Sequence, residues 1–307
     1  YPMIMSLSEE KKLVLLWFFR PRDRKSILSA VKWKLILALF KYVVASNTDD
    51  WWWLRSRVDF KKLMPSALDL RSLSIFDRLS KSSETIDNHF EQFSRIFADV
   101  IKLHPKSIIH GNAYVSELNY LSDINWKTAI TNKNIILAIV AHNPGAIHEK
   151  TILENYHIPC YEISSGMKIK ELTKVLELWN ANPGILLFTG KGFLLELYSL
   201  FKITLVGGGF KQDTHSILEP YLAGTMVYCG PKVYRSSEYF QIKDFDGQKL
   251  LSLATIEQWK CDCLYKILSM DFSTMGGGTE TRVEKFSMMK QATHEQTKVL
   301  LKFLESN

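Results

Sequence analysis

The chain has 307 residues, is 46% hydrophobic and 23% charged, and carries a formal net charge of +7. Those proportions exclude a disordered, collagen-like or coiled-coil chain, and the length suits one large or two ordinary domains. The cysteines (Cys160, Cys229, Cys261, Cys263) are too few for a disulfide framework, which points to a reducing compartment, and Lys32, Lys34 and Lys41 interrupt the best candidate for a membrane span.

The opening Tyr1-Pro2-Met3-Ile4-Met5 has no signal-peptide layout and does not begin with Met, as expected of a fragment. Residues 1–80 hold 15 Lys+Arg against 8 Asp+Glu, so the whole net charge lies there and the remainder is neutral. A basic stretch of this kind suits an anionic partner, phospholipid headgroups or nucleic acid, unless it is simply a solvated face. Trp17, Phe18, Phe19, Trp33 and Trp51, Trp52 and Trp53 favour the membrane surface. Trp prefers the interface, and each basic side chain near anionic headgroups gains about 1 kcal/mol.

In chain order, Leu13–Phe19 reads as a buried strand, Ile27 to Tyr42 as a helix, and Tyr42–Ser46 as a second strand. Strand, helix, strand is the unit of a parallel sheet. Asn47–Asp50 is polar and turn-like, and the charge bias ends near Met64–Leu79, where a domain boundary is expected. Glu84–His104 has helical periodicity. Ser107–Gly111, Ile135–Ala141, Pro159–Ser164, Ile185–Thr189, Ile203–Gly207 and Met226–Cys229 are short apolar strands, with helices such as Ile169–Trp179 and Gly192–Leu200 between them. The alternation predicts a doubly wound, Rossmann-type α/β domain over 69–275. It follows the remaining part of an N-terminal α/β domain over 1–68. Leu250–Leu268 and Glu295–Leu304 read as closing helices, and 276–307 as a C-terminal helical segment.

Ligands of an open parallel sheet bind beyond the carboxyl ends of its strands. The strand Ile203–Gly207 runs into Gly208 and Gly209, then a short loop, then a helix expected to start near Ser216. Glycines let backbone amides approach a ligand, and a helix N-terminus favours a phosphate. Glu219, one turn into that helix, is suited to the two hydroxyls of a ribose. Ser216-x-x-Glu219 is equally a capping box, which would serve the helix alone. Neither a Walker motif nor the dinucleotide fingerprint fits the spacing. Asp244-Phe245-Asp246 spells a D-x-D but reads as a loop, and Cys261-Asp262-Cys263 lacks two further zinc ligands. No metal is expected. His89, His104, His110, His148, His157 and His294 show no metal or triad spacing.

The segment Thr204–Tyr239, TLVGGGFKQDTHSILEPYLAGTMVYCGPKVYRSSEY, resembles the nucleotide-binding segment of bacterial 3-deoxy-D-manno-octulosonic acid (Kdo) transferases. These are GT-B glycosyltransferases of lipopolysaccharide synthesis, grouped as glycosyltransferase family 30. Ile75-Phe76-Asp77-Arg78 is similar to that family's R-F-D-R, His110-Gly111-Asn112-Ala113-Tyr114 to its G-S-T-W loop, and Ala141-His142-Asn143 to its A-P-H/R loop. Gly190–Tyr198 is similar to its G-x-L-x-x-L-Y helix. The resemblance covers roughly residues 70–240 and is specific in Gly207–Pro231.

What the resemblance implies is a GT-B-like fold and transfer of Kdo from CMP-Kdo to lipid A or its precursor. The chain would act peripherally at the cytoplasmic face of a bacterial inner membrane, without a cofactor and without nucleic acid. Gly208 and Gly209 would line the phosphate, with His215, Ser216 and Ile217 opening the helix that faces it. Glu219 would hold the ribose and Gly230-Pro231 would border the base. His142 and Asn112 would lie across the cleft, and Arg20 is a further candidate for the donor carboxylate or phosphate. The family has Gly-His-Asn where this chain has Thr214-His215-Ser216, and Pro where it has His142. Residues 1–65 resemble only the last part of the family's acceptor domain, so the catalytic base is unassigned. The alternatives are a GT-B enzyme using another nucleotide sugar and an inactive nucleotide-binding remnant.

Overall fold

Two stretches of alternating apolar residues build two sheets, and the computed structural model groups the chain around them. It describes residues 4–5, 13–18, 33, 35–68, 70–82, 95–101, 106–143, 145–164, 166–190, 192, 194–233, 236–246, 251–259, 263–269 and 279–305. One unit comprises 1–77, 234–247 and 284–307; the other comprises 78–233 and 248–283. Residues 234–247 and 284–307 thus group with the first unit, where the sequence predicts the former in the Rossmann-type domain and the latter in a segment of their own.

Among the described residues the first unit has three strands, β1 (Ile4–Met5), β2 (Leu13–Phe18) and β3 (Phe40–Ala45). β2 and β3 are parallel, as the predicted crossover requires, and β1 adds an antiparallel edge. Of the crossover helix, Trp33 and Leu35 to Ala38 are helical among the described residues. Successive side chains of β3 serve opposite faces. Val43 and Ala45 pack with Leu37, Phe40, Leu54 and Leu63, whereas Tyr42 and Val44 pack with Met64, Leu68 and Leu300. The last of these lies on the 27-residue helix Thr279–Glu305, which is longer than the predicted Glu295–Leu304. Asn47–Asp50, expected to be a turn, opens the helix Thr48–Arg55. The Asn47 side chain accepts the Asp50 amide, and Asp49 and Asp50 sit at the positive end of the helix dipole.

Among the described residues the second unit holds seven parallel strands. They are β4 (Ser107–Ala113), β5 (Ile136–Ala141), β6 (Cys160–Ser164), β7 (Ile185–Thr189), β8 (Ile203–Val206), β9 (Met226–Cys229) and β10 (Leu251–Leu253). Their order is β10-β9-β8-β4-β5-β7-β6. Six match the predicted strands to within two residues at their ends. β10 falls where a helix is expected, because Leu251–Leu253 extends the sheet beside β9, and ladder pairing outweighs a helical spacing of leucines. Helices Ile256–Gln258 and Leu264–Ser269 lie further along that stretch. Asp244–Asp246 ends the helix Ser237–Asp246 and is not a loop.

Both faces of this sheet are buried. Leu137, Ile139 and Ala141 enter one apolar cluster, whereas Ile136, Ala138 and Val140 enter another. A sheet covered on both faces needs apolar residues at every position, which is why these strands read as continuous apolar runs. The fold is a doubly wound parallel α/β sheet, as predicted. Its strand order reverses at β4, which has β8 on one side and β5 on the other. No described helix is long and apolar enough to cross a membrane.

Candidate functional site

The crevice of an open parallel sheet forms where the strand order reverses. Here that point is the carboxyl end of β4, and β4 is irregular there. Its register against β5 shifts between His110 and Ala113, and Asn112 takes a positive φ of 53°. A bulge of this kind turns the following residue out of the ladder. Tyr114 follows, His142 caps β5 and donates its amide to the Ala113 carbonyl, and the Gly207–Gly209 bend ends β8.

Three rings gather at these strand ends. His142 and His215 stack with centroids 4.3 Å apart, and the Tyr114 ring lies 4.7 Å from His142. The Tyr114 hydroxyl is 2.7 Å from His215 Nε2. Burial, reinforced by the neighbouring His142, pulls the His215 pKa below its usual 6.5, with Glu117 acting the other way. Burial and the Glu117 charge raise the Tyr114 pKa. Both groups are therefore neutral near pH 7, and the pair shares one hydrogen bond.

The bend is made by backbone packing. Gly208 has φ +81°, and a Cβ there would run into the Asp213 carbonyl. Gly209 and Gly230 lie backbone against backbone, each in the space the other's Cβ would need. Their amides are used internally: Gly207 N–H donates to Gly111 O, Gly209 N–H to Gln212 O, and Gly208 N–H to Glu117 Oε1 at 2.9 Å. Glu117 was not singled out from the sequence. Its second oxygen accepts the Tyr114 amide at 3.3 Å and lies 3.7 Å from His110 Nε2. His110, wholly buried, has its Nδ1 3.1 Å from the Tyr120 hydroxyl. The signal was present as Tyr114-x-x-Glu117, the spacing at which a carboxylate reaches back to the amide opening a helical turn. That turn is the 3-10 helix Val115–Ser122.

The helix after the bend is short. It spans Leu218–Leu222 with Ile217, not Ser216, at its cap position, and Ile217 is fully buried. The expected start near Ser216 is thus displaced by two residues. Glu219 lies on this helix, with Oε1 4.0 Å from Arg78 Nη1, and Glu196 Oε1 lies 3.8 Å from Arg78 Nη2. Both carboxylates are partly exposed and share one guanidinium. Pro231 is exposed beside Gly230. The structure therefore brings Asn112, His142, Gly208, Gly209, His215 and Gly230 to neighbouring strand ends, with Glu219 on the following helix. Arg20 lies outside the described residues.

Cys160, Cys229 and Cys263 are buried and form no disulfide, and burial pushes the Cys229 pKa up to about 12. Such a thiol is a packing group and a poor nucleophile. Among the described residues no cluster of three or more His, Cys, Asp or Glu is arranged to hold a metal.

No protein-family profile and no curated protein matches this chain. Among solved structures it is similar to the C-terminal CMP-Kdo binding domain of WaaA from Acinetobacter baumannii. That likeness has 17% identity, covers 65% of this chain and 98% of the other, and has a TM-score of 0.45. The Glycosylation Associate Protein (Gap123) complex from Streptococcus agalactiae is similar at 11% identity over 95% of this chain, with a TM-score of 0.45. The wall teichoic acid polymerase TagF is similar at 10% identity over 91% of this chain, with a TM-score of 0.29. This chain spans 50% of the second of these and 64% of the third.

Proposed function

We propose that the chain is a glycosyltransferase of GT-B type that takes a nucleotide sugar at the carboxyl ends of β4, β5 and β8. The donor most consistent with the Gly207–Pro231 resemblance is CMP-Kdo, and the acceptor is lipid A or its precursor. The observation that carries the reading is the convergence of the Tyr114, His142 and His215 rings with the Gly207–Gly209 bend where the strand order reverses. In this reading the imidazole N–H groups of His142 and His215 meet the donor phosphate. Glu219, partly exposed and steadied by Arg78, accepts the ribose hydroxyls.

Transfer joins an acceptor hydroxyl oxygen to the anomeric carbon as the bond from that carbon to the phosphate oxygen breaks. The electron pair leaves with CMP, and the acceptor oxygen gives up its proton. Charge thus develops on one phosphate, where preoriented N–H donors stabilise it more in the transition state than in the ground state.

The basic, Trp-rich part of the first unit supports a membrane partner. Trp52, Leu35, Leu39 and Phe60 are exposed, and Arg55 and Arg57 lie over the rings of Trp52 and Trp53 at 5.1 and 4.3 Å. Binding to anionic liposomes that raised salt reverses is the expected result; salt-insensitive or absent binding counts against the membrane partner.

Calorimetric titration with CMP, UDP and GDP tests the donor. CMP is expected to bind and to raise the melting temperature, since a ligand at a hundred times its Kd adds about 2.7 kcal/mol. Stabilisation by UDP alone overturns the Kdo assignment and favours another nucleotide sugar. Binding of CMP with no transfer of Kdo to a lipid A acceptor favours a nucleotide-binding remnant.

A further inference from the structure

We propose that Glu117 is an internal anion that holds the Gly207–Gly209 bend and restricts the site to ligands joined through a single phosphate. This deepens the nucleotide reading above and depends on it for the identity of the ligand.

Consecutive glycines of positive φ after a strand turn their amides into an anion-binding concavity. In this chain the concavity is already used. Gly208 N–H donates to Glu117 Oε1 at 2.9 Å, and the amides of Gly207 and Gly209 donate to backbone carbonyls. Glu117 is 4% exposed, and its other oxygen takes the Tyr114 amide. One carboxylate therefore ties the end of β4 to the end of β8, across the point where the strand order reverses. Removing it would strip the partner from the buried Gly208 amide and from the partly buried Tyr114 amide.

The electrostatic consequence concerns the ligand. An incoming phosphate finds the amides of Gly207, Gly208 and Gly209 already bonded, so its charge falls to the imidazoles of His142 and His215. Those rings stack 4.3 Å apart and cannot readily both take a proton. A second phosphate brings further negative charge into the field of a carboxylate shielded from water, where charges interact far more strongly than in solution. Discrimination of this kind comes from a repulsive group as much as from an attractive one.

The experiment titrates the full chain with CMP and with CDP at constant pH and salt, for the wild type, Glu117→Gln and Glu117→Ala. The wild type is expected to prefer CMP by about tenfold, the size of one uncompensated charge contact. Glu117→Gln keeps an acceptor for the Gly208 amide but removes the charge, so the preference narrows to about threefold or less through tighter CDP binding. Glu117→Ala is expected to weaken both nucleotides, with Gln restoring CMP binding. Equal affinities in the wild type, or an unchanged ratio in Glu117→Gln, overturn the selectivity. Failure of the wild type to bind either nucleotide overturns the nucleotide reading itself, and the selectivity with it. The positioning role is read separately, from hydrogen exchange at the Gly208 amide without ligand. Protection in the wild type and Glu117→Gln, lost in Glu117→Ala, supports that role; protection retained in Glu117→Ala overturns it.

Discussion

Glu117 binds an amide of the glycine bend and Glu219 lies on the helix that follows it, in opposite surroundings. Glu117 is enclosed, accepts two backbone amides and faces the buried His110. Glu219 has a side chain 22% exposed and lies 4.0 Å from a guanidinium that is itself half exposed. A carboxylate taken out of water must be satisfied by the protein, so it ends up organising the backbone that satisfies it. Glu219, only partly buried, shares the Arg78 guanidinium with Glu196, so its carboxylate is not committed to the backbone of the bend. Enclosure, more than residue type, separates the holding group from the group offered to a ligand.

The largest effect is expected from the glycine bend itself. Gly208→Ala forces a side chain onto a residue of φ +81° and against the Asp213 carbonyl. Backbone strain of about 1–3 kcal/mol, with the clash added, predicts a loss of roughly 3 kcal/mol or more in denaturant unfolding. A loss below about 1 kcal/mol would show that the bend can relax.

Glu117→Ala comes next, with an expected loss of about 2 kcal/mol, because a buried amide and a partly buried one lose their acceptor. Glu117→Gln is expected to cost less than half of that, since an amide oxygen still accepts. Equal losses would mean that the charge, not the hydrogen bonds, supports the bend.

Glu219→Ala sharpens the contrast from the other side. An ion pair this exposed contributes about 0–1 kcal/mol, so stability should barely change while nucleotide affinity falls about tenfold. Parallel losses of stability and affinity would make Glu219 a structural group like Glu117.

The smallest effect is the pH dependence of His215. Its folded pKa lies below 6.5, so the folded chain binds its proton less readily than the unfolded chain. The resulting stability is fully present above pH 6.5 and is lost as pH falls from 6.5 through the lowered folded value. Anion binding at the rings reverses that preference, so CMP affinity should rise over the same interval. In His215→Gln both slopes should flatten; persistence of either assigns it to another group.

How far the site was legible follows from what holds each part. The β8–glycine–helix stretch is local, and so Gly208, Gly209, His215 and Glu219 could be picked from their neighbours in the chain. Glu117 could not, because its role lies in accepting an amide 91 positions away. Arg78 was visible as part of a motif, but its pairing with Glu196 and Glu219 joins three separate segments. The helix start near Ser216 was misplaced because cap residues were weighed and the complete burial of Ile217 could not be. β10 was missed for a related reason: leucines at helical spacing also satisfy an edge strand when β9 lies alongside.

By itself, the sequence determined the doubly wound parallel class and six of the seven strands of the larger sheet. Runs apolar at every position have no stable place except a sheet covered on both faces. Tertiary structure decided which strands became neighbours, which glycine amides were already spent, and which carboxylate was sealed from water. Those outcomes depend on groups far apart in the chain meeting in a low-dielectric interior, where a charge without a partner is too costly to keep.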